Sequence, residues 1–231
     1  FRMKSGAVVV AHLKMSGQFA YESDRISTTS KKAVIGGHPI EISERELPNK
    51  HTHIIFDLDK GALYYNDTRM FGYVLWYPNY DAAHKAHFGD LGPEPFGSDF
   101  TLEYFHEALA KSGAMLKAAL MGQSIVVGLG NIYVDESCFV ACVRPDRRAN
   151  TLTSREVAKL YAAIKKILAR AIETGGSSVS TYRLLDMTRG NYAREHKVYG
   201  RAGKPCVKCH RLLSKMLIQS RTTVFCKNCQ K

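Results

Sequence analysis

Six cysteines are the residues of this 231-residue sequence whose type and spacing speak first for chemistry. Four of them form Cys206-Val-Lys-Cys209 and, after sixteen intervening residues, Cys226-Lys-Asn-Cys229. Two CxxC knuckles supply four thiolates, the donor set of a closed tetrahedral zinc site with no position left for water. Two disulfides would require an oxidising compartment, and a redox pair would need only one CxxC. The expected cofactor is therefore one structural Zn2+, held by Cys206, Cys209, Cys226 and Cys229. Such an ion lets a stretch too short for its own core fold as a two-hairpin ribbon, with Arg221 held rigidly on the turn before Cys226. Cys138 and Cys142 are spaced to share a helix face with little polar company, which predicts buried structural thiols rather than a nucleophile.

The second constellation is Val126-Val-Gly128-Leu-Gly130-Asn131-Ile-Tyr133-Val-Asp-Glu136. A dinucleotide fingerprint would need glycine where Tyr133 stands, and a βαβ context that is absent. Glycines leading into a helix instead expose backbone N–H groups to an anion, with Asn131 as a side-chain donor. A tight helix-to-helix turn that needs glycine for close packing accounts for the same spacing equally well. Two further groups, Lys14-Met15-Ser16-Gly17 and Asp67-Thr-Arg69-Met-Phe71-Gly72, each follow a strand-like run and place side chains on exposed loops.

The elements that must carry these groups fall into three stretches. From Phe1 to about Tyr77 the pattern is strand-like, with short runs at Val8–Leu13, His53–Leu58 and Ala62–Asn66; Asp59-Lys60-Gly61 supplies a hairpin turn between the last two. Tyr21 to Lys50 is polar, carries Gly36-Gly37 and Pro39, and reads as a long, partly structured excursion. Leu91-Gly-Pro-Glu-Pro95 marks a domain boundary. Helical periodicity follows from about Asp99 to Leu185, clearest over Thr153–Thr174. There Thr153 and Glu156 make a capping box, Leu152 and Val157 a possible staple, and Val157, Leu160, Tyr161, Ile164, Leu168 and Ile172 an apolar stripe ended by Gly175-Gly176.

The charge is placed unevenly. The chain carries +12 at pH 7, and from Arg183 onward twelve Lys or Arg face two acids. Concentrating the excess in the last fifth of the chain is what a phosphate-docking domain requires, and regular Tyr, Val and Cys spacing argues against a disordered solubilising tail. At 45% hydrophobic residues the chain is neither disordered nor collagen-like, and it shows neither a signal-peptide pattern nor an apolar run near the roughly 20 residues of a membrane span, so it reads as intracellular. Phe1 is not a start Met, and the flanking residues predict a strand without a leading loop, hence a missing N-terminal segment.

Taken together these residues resemble the formamidopyrimidine-DNA glycosylase (Fpg/Nei) family of base-excision repair enzymes. The resemblance rests on His12-Leu-Lys-Met15-Ser-Gly17, Lys50-His51-Thr-His53, Asp67-Thr-Arg69-Met-Phe71-Gly72, Leu91-Gly-Pro-Glu-Pro95, Gly128-Leu-Gly-Asn131-Ile-Tyr-Val-Asp-Glu136, Val198-Tyr-Gly-Arg201 and Gln219-Ser-Arg221-Thr-Thr-Val-Phe-Cys226, in family order along most of the chain. It implies an α+β multi-domain protein: an incomplete N-terminal β-sandwich over residues 1–95, a helix-two-turn-helix domain over 96–190 and a C-terminal zinc ribbon over 191–231. The implied activity is a bifunctional DNA glycosylase and AP lyase that removes oxidised purines (8-oxoguanine, formamidopyrimidines) from duplex DNA by base flipping. The implied partner is double-stranded DNA carrying oxidised bases or abasic sites, met by a cytoplasmic, nucleoid-associated monomer with no membrane role.

The same resemblance implies roles for particular residues. Met15, Arg69 and Phe71 match the loop residues that fill the hole left by a flipped nucleotide, with Arg69 on the orphaned base. His51 and Arg69 match DNA-contacting positions, and Asn131 with the amides behind it matches a phosphate grip. Arg221 matches the ribbon arginine that clamps the phosphates flanking the lesion and serves as proton donor in the last elimination step. A basic contact of the family falls near Gly113, leaving Lys111 or Lys117 to serve, and Lys117 is carried as the candidate. The family's nucleophile is the secondary amine of an N-terminal proline, assisted by an adjacent Glu and an early-strand Lys, and these roles match no residue here. Met70 stands where many members have a basic residue, and the Tyr21–Leu47 connection is longer than usual. Gly175–Tyr192 would be the loop over the flipped base. Two other readings compete: a module that binds damaged DNA without cutting it, and an endonuclease VIII-type member preferring oxidised pyrimidines. A zinc-ribbon nucleic-acid protein of another kind would have no need of the Asp67–Gly72 and Gly128–Glu136 motifs.

Overall fold

A computed structural model describes residues 1–23, 33–37, 47–177 and 190–231, the five residues 33–37 by their backbone. Most of the Tyr21–Leu47 excursion, with Pro39, and most of the Gly175–Tyr192 loop therefore lie outside the described residues. The chain divides into two compact units, Phe1–Gly89 with Ser177–Asn191, and Asp90–Gly176 with Tyr192–Lys231.

The first unit is built on antiparallel strands. Strand β1 (Val8–His12) pairs with β6 (Tyr73–Tyr77), and β2 (Gly17–Ser23), β3 (Ala33–Gly37), β4 (Thr52–Leu58) and β5 (Gly61–Asp67) form a four-stranded sheet in the order β3-β2-β5-β4. Helix α1 (Tyr80–His87) starts at an Asn79 cap whose side chain accepts from the Ala82 amide. The hairpin expected between His53 and Asn66 is present as β4 and β5, closed by the pair Leu58 and Gly61. Gly61 is glycine for a reason beyond the turn: its φ is +142°, and a Cβ there would lie 2.1 Å from the Glu22 carbonyl oxygen of neighbouring β2.

The second unit holds helices α2 (Leu102–Ala110), α3 (Leu116–Met121), α4 (Asn131–Ala141) and α5 (Ser154–Glu173), and a ribbon of β7 (Ser214–Ile218) and β8 (Arg221–Phe225). Phe105, Leu116, Leu120, Leu129, Val134, Cys138, Leu160 and Ile164 are fully buried in the helical core. A second cluster joins Phe139 of α4 to Val198, Cys206, Leu213, Val224 and Cys226, so the helices and the ribbon share apolar surface. No helix among the described residues is long and apolar enough to cross a membrane.

Helix α5 shows how local signals and packing divide the work. The Thr153–Glu156 capping box forms in both directions, and Gly175 and Gly176, both at positive φ, donate to the Ile172 and Ala171 carbonyls in a Schellman closure. The buried face comprises Val157, Leu160, Ala163, Ile164, Ile167, Leu168 and Ala171. Ile172, expected in the apolar stripe, is 69% exposed. It lies roughly 80° round the helix from Ile164, so the last turn buries Ile167 and Ala171 instead.

Glu156 also receives both guanidinium nitrogens of Arg147, at 2.5 and 3.2 Å. The Arg147 bonds, helped by the Thr153 amide and hydroxyl and opposed by partial burial, hold its carboxyl down at about 2. Because the folded value lies below the unfolded one near 4.5, this stabilisation is fully present above the unfolded value and is lost as pH falls through about 2. It amounts to about 2–3 kcal/mol. Glu156→Gln is expected to lower urea stability above pH 5 and to flatten its decline between pH 4.5 and 2; superimposable pH–stability curves for the two proteins would refute this.

Candidate nucleic-acid interface and metal centre

The exposed loops of the first unit are organised by one buried carboxylate. Asp67, at the end of β5, is 1% exposed. Its Oδ1 accepts from the Ser16 hydroxyl at 2.5 Å and the Arg69 amide at 3.1 Å; its Oδ2 accepts from the Gly72 amide at 2.8 Å and the Tyr65 hydroxyl at 3.4 Å. Burial pulls the Asp67 carboxyl upward, but the Ser16 hydroxyl and the loop amides outweigh it and hold the group below its ordinary value. One ionised side chain thus shapes the 67–72 turn and ties it to the turn carrying Ser16. Gly72 completes the fit, since a Cβ there would meet the Tyr65 hydroxyl at 2.0 Å and the His12 carbonyl at 2.7 Å.

On this frame the expected wedge side chains point outward. Met15 is 63% exposed, Phe71 59%, and the Arg69 guanidinium lies 4.8 Å from the Phe71 ring centroid. Three outward side chains, two apolar and one cationic with an aromatic face beneath it, make a surface suited to stacking and to hydrogen bonding a base edge. Met70 sits between them at φ 55° and 72% exposed. His51 is half-buried behind the loop, its carbonyl accepting from the Asp67 amide, while His53 Nε2 lies 2.8 Å from the Asp67 carbonyl oxygen.

In the second unit Gln123 shapes the approach to α4. Its Oε1 accepts from the Gly128 amide and its Nε2 donates to the Leu129 carbonyl, with Gly128 at φ +85°. Helix α4 then begins at Gly130 without a side-chain cap, and its first backbone bond runs from the Val134 amide to the Gly130 carbonyl. The first-turn amides, beginning with that of Asn131, therefore face outward at the positive end of an eleven-residue helix. The tight-turn and anion-donor readings of this motif are compatible, because the turn at Gly128 is what leaves the helix start open.

The four ribbon cysteines come together. Their ligand atoms all lie within 4.8 Å of one another, with Cys206 and Cys226 buried and Cys209 and Cys229 half-buried. Sulfur separations of 3.5 Å (Cys209–Cys226) and 3.9 Å (Cys206–Cys229) suit a tetrahedron of thiolates, whose edge is about 3.8 Å for metal–sulfur bonds near 2.3 Å. The Lys208 amide lies 3.4 Å from Cys206 Sγ, an N–H aimed at a ligand sulfur. This donor set can hold a metal ion. The other two thiols do not share a helix face as expected. Cys138 is fully buried and its thiol is pushed well up by burial, whereas Cys142 ends α4 in the left-handed region at φ 63°, half-buried, with Lys208 Nζ 3.3 Å from its sulfur.

Arg221 is exposed at the start of β8, straight after a two-residue turn in which Gln219 and Ser220 both have positive φ. Lys117 corrects an expectation. Carried as a DNA-facing cation, it is 0% exposed and forms a buried ion pair with Asp135, 2.7 Å away; Lys111 is the exposed one of the two candidates. Burial pushes the Asp135 carboxyl up to about 6 against the opposing pull of Lys117. Neighbouring Glu136, also fully buried, accepts the amides of Lys197, Val198 and Tyr199. Sequence reasoning missed Gln123, Asp135 and Glu136 as organisers; two acids one turn inside an otherwise largely apolar helix were the available signal for the latter pair.

Two family descriptions match the chain: the Formamidopyrimidine-DNA glycosylase N-terminal domain over residues 1–74 and the Formamidopyrimidine-DNA glycosylase H2TH domain over residues 91–183. A formamidopyrimidine-DNA glycosylase of Desulfitobacterium hafniense is 34% identical over 230 residues, a span of 100% of this chain and 77% of the relative. That of Bacillus subtilis is 38% identical over 224 residues, 96% and 74% respectively. Among solved structures, the MutM (Fpg) protein of Thermus thermophilus superposes with a TM-score of 0.80 at 35% identity, covering 100% of this chain and 78% of that one. The Lactococcus lactis Fpg, solved with DNA containing an abasic site, gives 0.77 at 33% identity, covering 97% and 75%.

Proposed function

The chain belongs to the formamidopyrimidine-DNA glycosylase family, and on that premise we propose how its residues serve base-excision repair of duplex DNA carrying oxidised purines or abasic sites, by a bifunctional DNA glycosylase and AP lyase. The observation that carries the reading is the outward set Met15, Arg69 and Phe71, braced from behind by the buried carboxylate of Asp67. Opening a duplex to extrude a nucleotide costs a few kcal/mol of stacking and pairing. An apolar side chain inserted beside the gap replaces lost stacking, and the Arg69 guanidinium offers donors to the base left without a partner. His51 adds a contact behind this loop.

Phosphate binding falls to the second unit. Asn131 and the open amides of α4 take one phosphate, and Arg221 grips those flanking the lesion and donates a proton in the final elimination. No residue of this chain is assigned the nucleophile's role. The metal is zinc: four thiolates at tetrahedral spacing form a closed site, so the ion acts by holding the ribbon and takes no part in bond cleavage. The division into a β-sandwich (1–95), a helix-two-turn-helix domain (96–190) and a zinc ribbon (191–231), a monomeric state and a cytoplasmic, nucleoid-associated location belong to the same proposal. A site of four metal-bound thiolates suits a reducing compartment.

The test compares binding to a duplex carrying a tetrahydrofuran abasic-site analogue with binding to the undamaged duplex. Preference for the analogue should shrink by about tenfold in Phe71→Ala and Met15→Ala, while both affinities fall steeply with salt as counterions are released. Equal affinity for the two duplexes in the unsubstituted protein would overturn the reading. Faster removal of thymine glycol than of 8-oxoguanine would instead move the protein to the pyrimidine-preferring branch.

A further inference from the structure

Strand β8 carries Arg221 at one end and Cys226 just past the other, and among the described residues it pairs with β7 alone. In the register Ile218–Arg221, Leu217–Thr222, Met216–Thr223 and Lys215–Val224, closed by a two-residue turn, the pairs alternate between bonded and non-bonded. The backbone groups of Thr222 and Val224 therefore face away from β7, along an edge that would need a third strand. Two side chains take that place. Lys117 Nζ donates to the Thr222 carbonyl at 3.2 Å, and Asp135 Oδ2 accepts from the Val224 amide at 2.9 Å. The two are bonded to each other at 2.7 Å, and both are fully buried.

We propose that the buried Lys117–Asp135 pair is a positioning device for Arg221, acting as a two-residue surrogate strand that locks β8 to helix α4. Asp135 lies one turn along α4 from Asn131, at the helix start proposed to take a phosphate. Glu136, the next residue, captures the amides of Lys197, Val198 and Tyr199 on the approach to the ribbon. Both ends of the ribbon are thereby referenced to one rigid helix. An apolar pair of equal volume would fill the same space at no cost in desolvation, but it would leave the Thr222 carbonyl and the Val224 amide unpaired and the strand free to slide. Directional bonds to two alternate residues of β8 fix its register, and with it the reach of Arg221. Lys117 and Asp135 touch no DNA and act through Arg221.

The inference rests on the proposal that Arg221 grips phosphate, and a double-mutant cycle separates the two. Lys117→Met alone strands a buried carboxylate, so Lys117→Met/Asp135→Asn is measured beside it; the second change removes the unpaired charge and keeps an acceptor for Val224. The expected result is that the double variant retains its zinc and regains most of the thermal stability lost in Lys117→Met, yet still binds the tetrahydrofuran duplex roughly tenfold more weakly, with a salt slope lower by about one phosphate contact. In an Arg221→Ala background the same pair of changes should produce no further loss. Additive losses in the two backgrounds, or full affinity in the metal-loaded double variant, would overturn the positioning role while leaving the phosphate grip intact. If Arg221→Ala itself bound as well as the unsubstituted protein, the grip would fall and the inference with it.

Discussion

Cys226→Ser is expected to release the metal and unfold the ribbon while the four helices of the second unit remain folded. Cys226 is buried in the cluster formed by Phe139, Val198, Cys206, Leu213 and Val224, and the separate helical core around Phe105, Leu120 and Ile164 contains no ribbon residue. Apparent binding energies of structural zinc in small domains are about 10–16 kcal/mol, far above what the few apolar residues of the ribbon can supply. Three thiolates cannot hold the ion as four do, and without it the knuckle at Cys226 is left to its bonds with Gln230, whose amide side chain reaches the Val143 carbonyl, and to the backbone bonds of Lys231 with Cys142 and Arg144. Arg221, five residues before Cys226, loses its rigid base. Three measurements check the expectation together: metal content by mass spectrometry, hydrogen exchange over residues 206–229 against α5, and affinity for the tetrahydrofuran duplex. Full metal content with unchanged affinity would refute it.

Asp67→Ala is expected to produce the largest loss of stability in the first unit. The substitution leaves the Ser16 and Tyr65 hydroxyls and the Arg69 and Gly72 amides without their acceptor, in a place that is 1% exposed. Leaving a buried donor unpaired costs about 1–3 kcal/mol, so the total is on the order of 3 kcal/mol or more even after the loop relaxes. The charge matters as well as the shape. The folded carboxyl lies below its ordinary 3.8, so its contribution is fully present above that value and is lost as pH falls below it; Asp67→Asn should lose much the same stability near neutrality. The chain has one tryptophan, Trp76 on β6, in the same unit as Asp67, whereas α2 to α5 all lie in the other. Urea unfolding followed by Trp76 fluorescence should therefore shift to lower denaturant in Asp67→Ala, with the far-ultraviolet helix signal of the second unit nearly unmoved. Preference for the tetrahydrofuran duplex should fall too, because Met15, Arg69 and Phe71 lose their frame. Coincident, unshifted Trp76 curves would sink the assignment of Asp67 as the hub.

Several features were legible because they depend on neighbours in the chain. The two CxxC knuckles place sulfurs by local turn geometry, and the structure brings all four within 4.8 Å. The Thr153–Glu156 box and the Gly175-Gly176 stop are satisfied within a turn of helix. The hairpin around Asp59-Lys60 formed where alternating apolar residues and a glycine predicted it. The order of motifs along the chain carried the resemblance to the family, since each motif keeps its own short spacing whatever surrounds it.

What the sequence alone determined, then, is the metal-binding ribbon, the two ends of helix α5, the strand pairing around β4 and β5, and the exposed loops bearing Met15, Arg69 and Phe71. The tertiary structure decided which way side chains of ambiguous character face. Lys117 reads as a DNA-facing cation by resemblance to the family, and it is its long-range partner Asp135 on α4, with the edge of β8 beyond, that makes burial of its charge tolerable. Ile172 reads as core by hydrophobicity, yet the face of α5 that meets its neighbours has turned past it by the last turn. Asp67 reads as a loop acid, and its role as the hub of two turns exists only because β2 and β5 bring Ser16 within 2.5 Å of it across fifty-one positions of chain. Periodicity and short motifs record what a residue can do within a turn or two of its own backbone. Burial and pairing of charge depend on groups far away in the chain, and those are settled only when the elements pack.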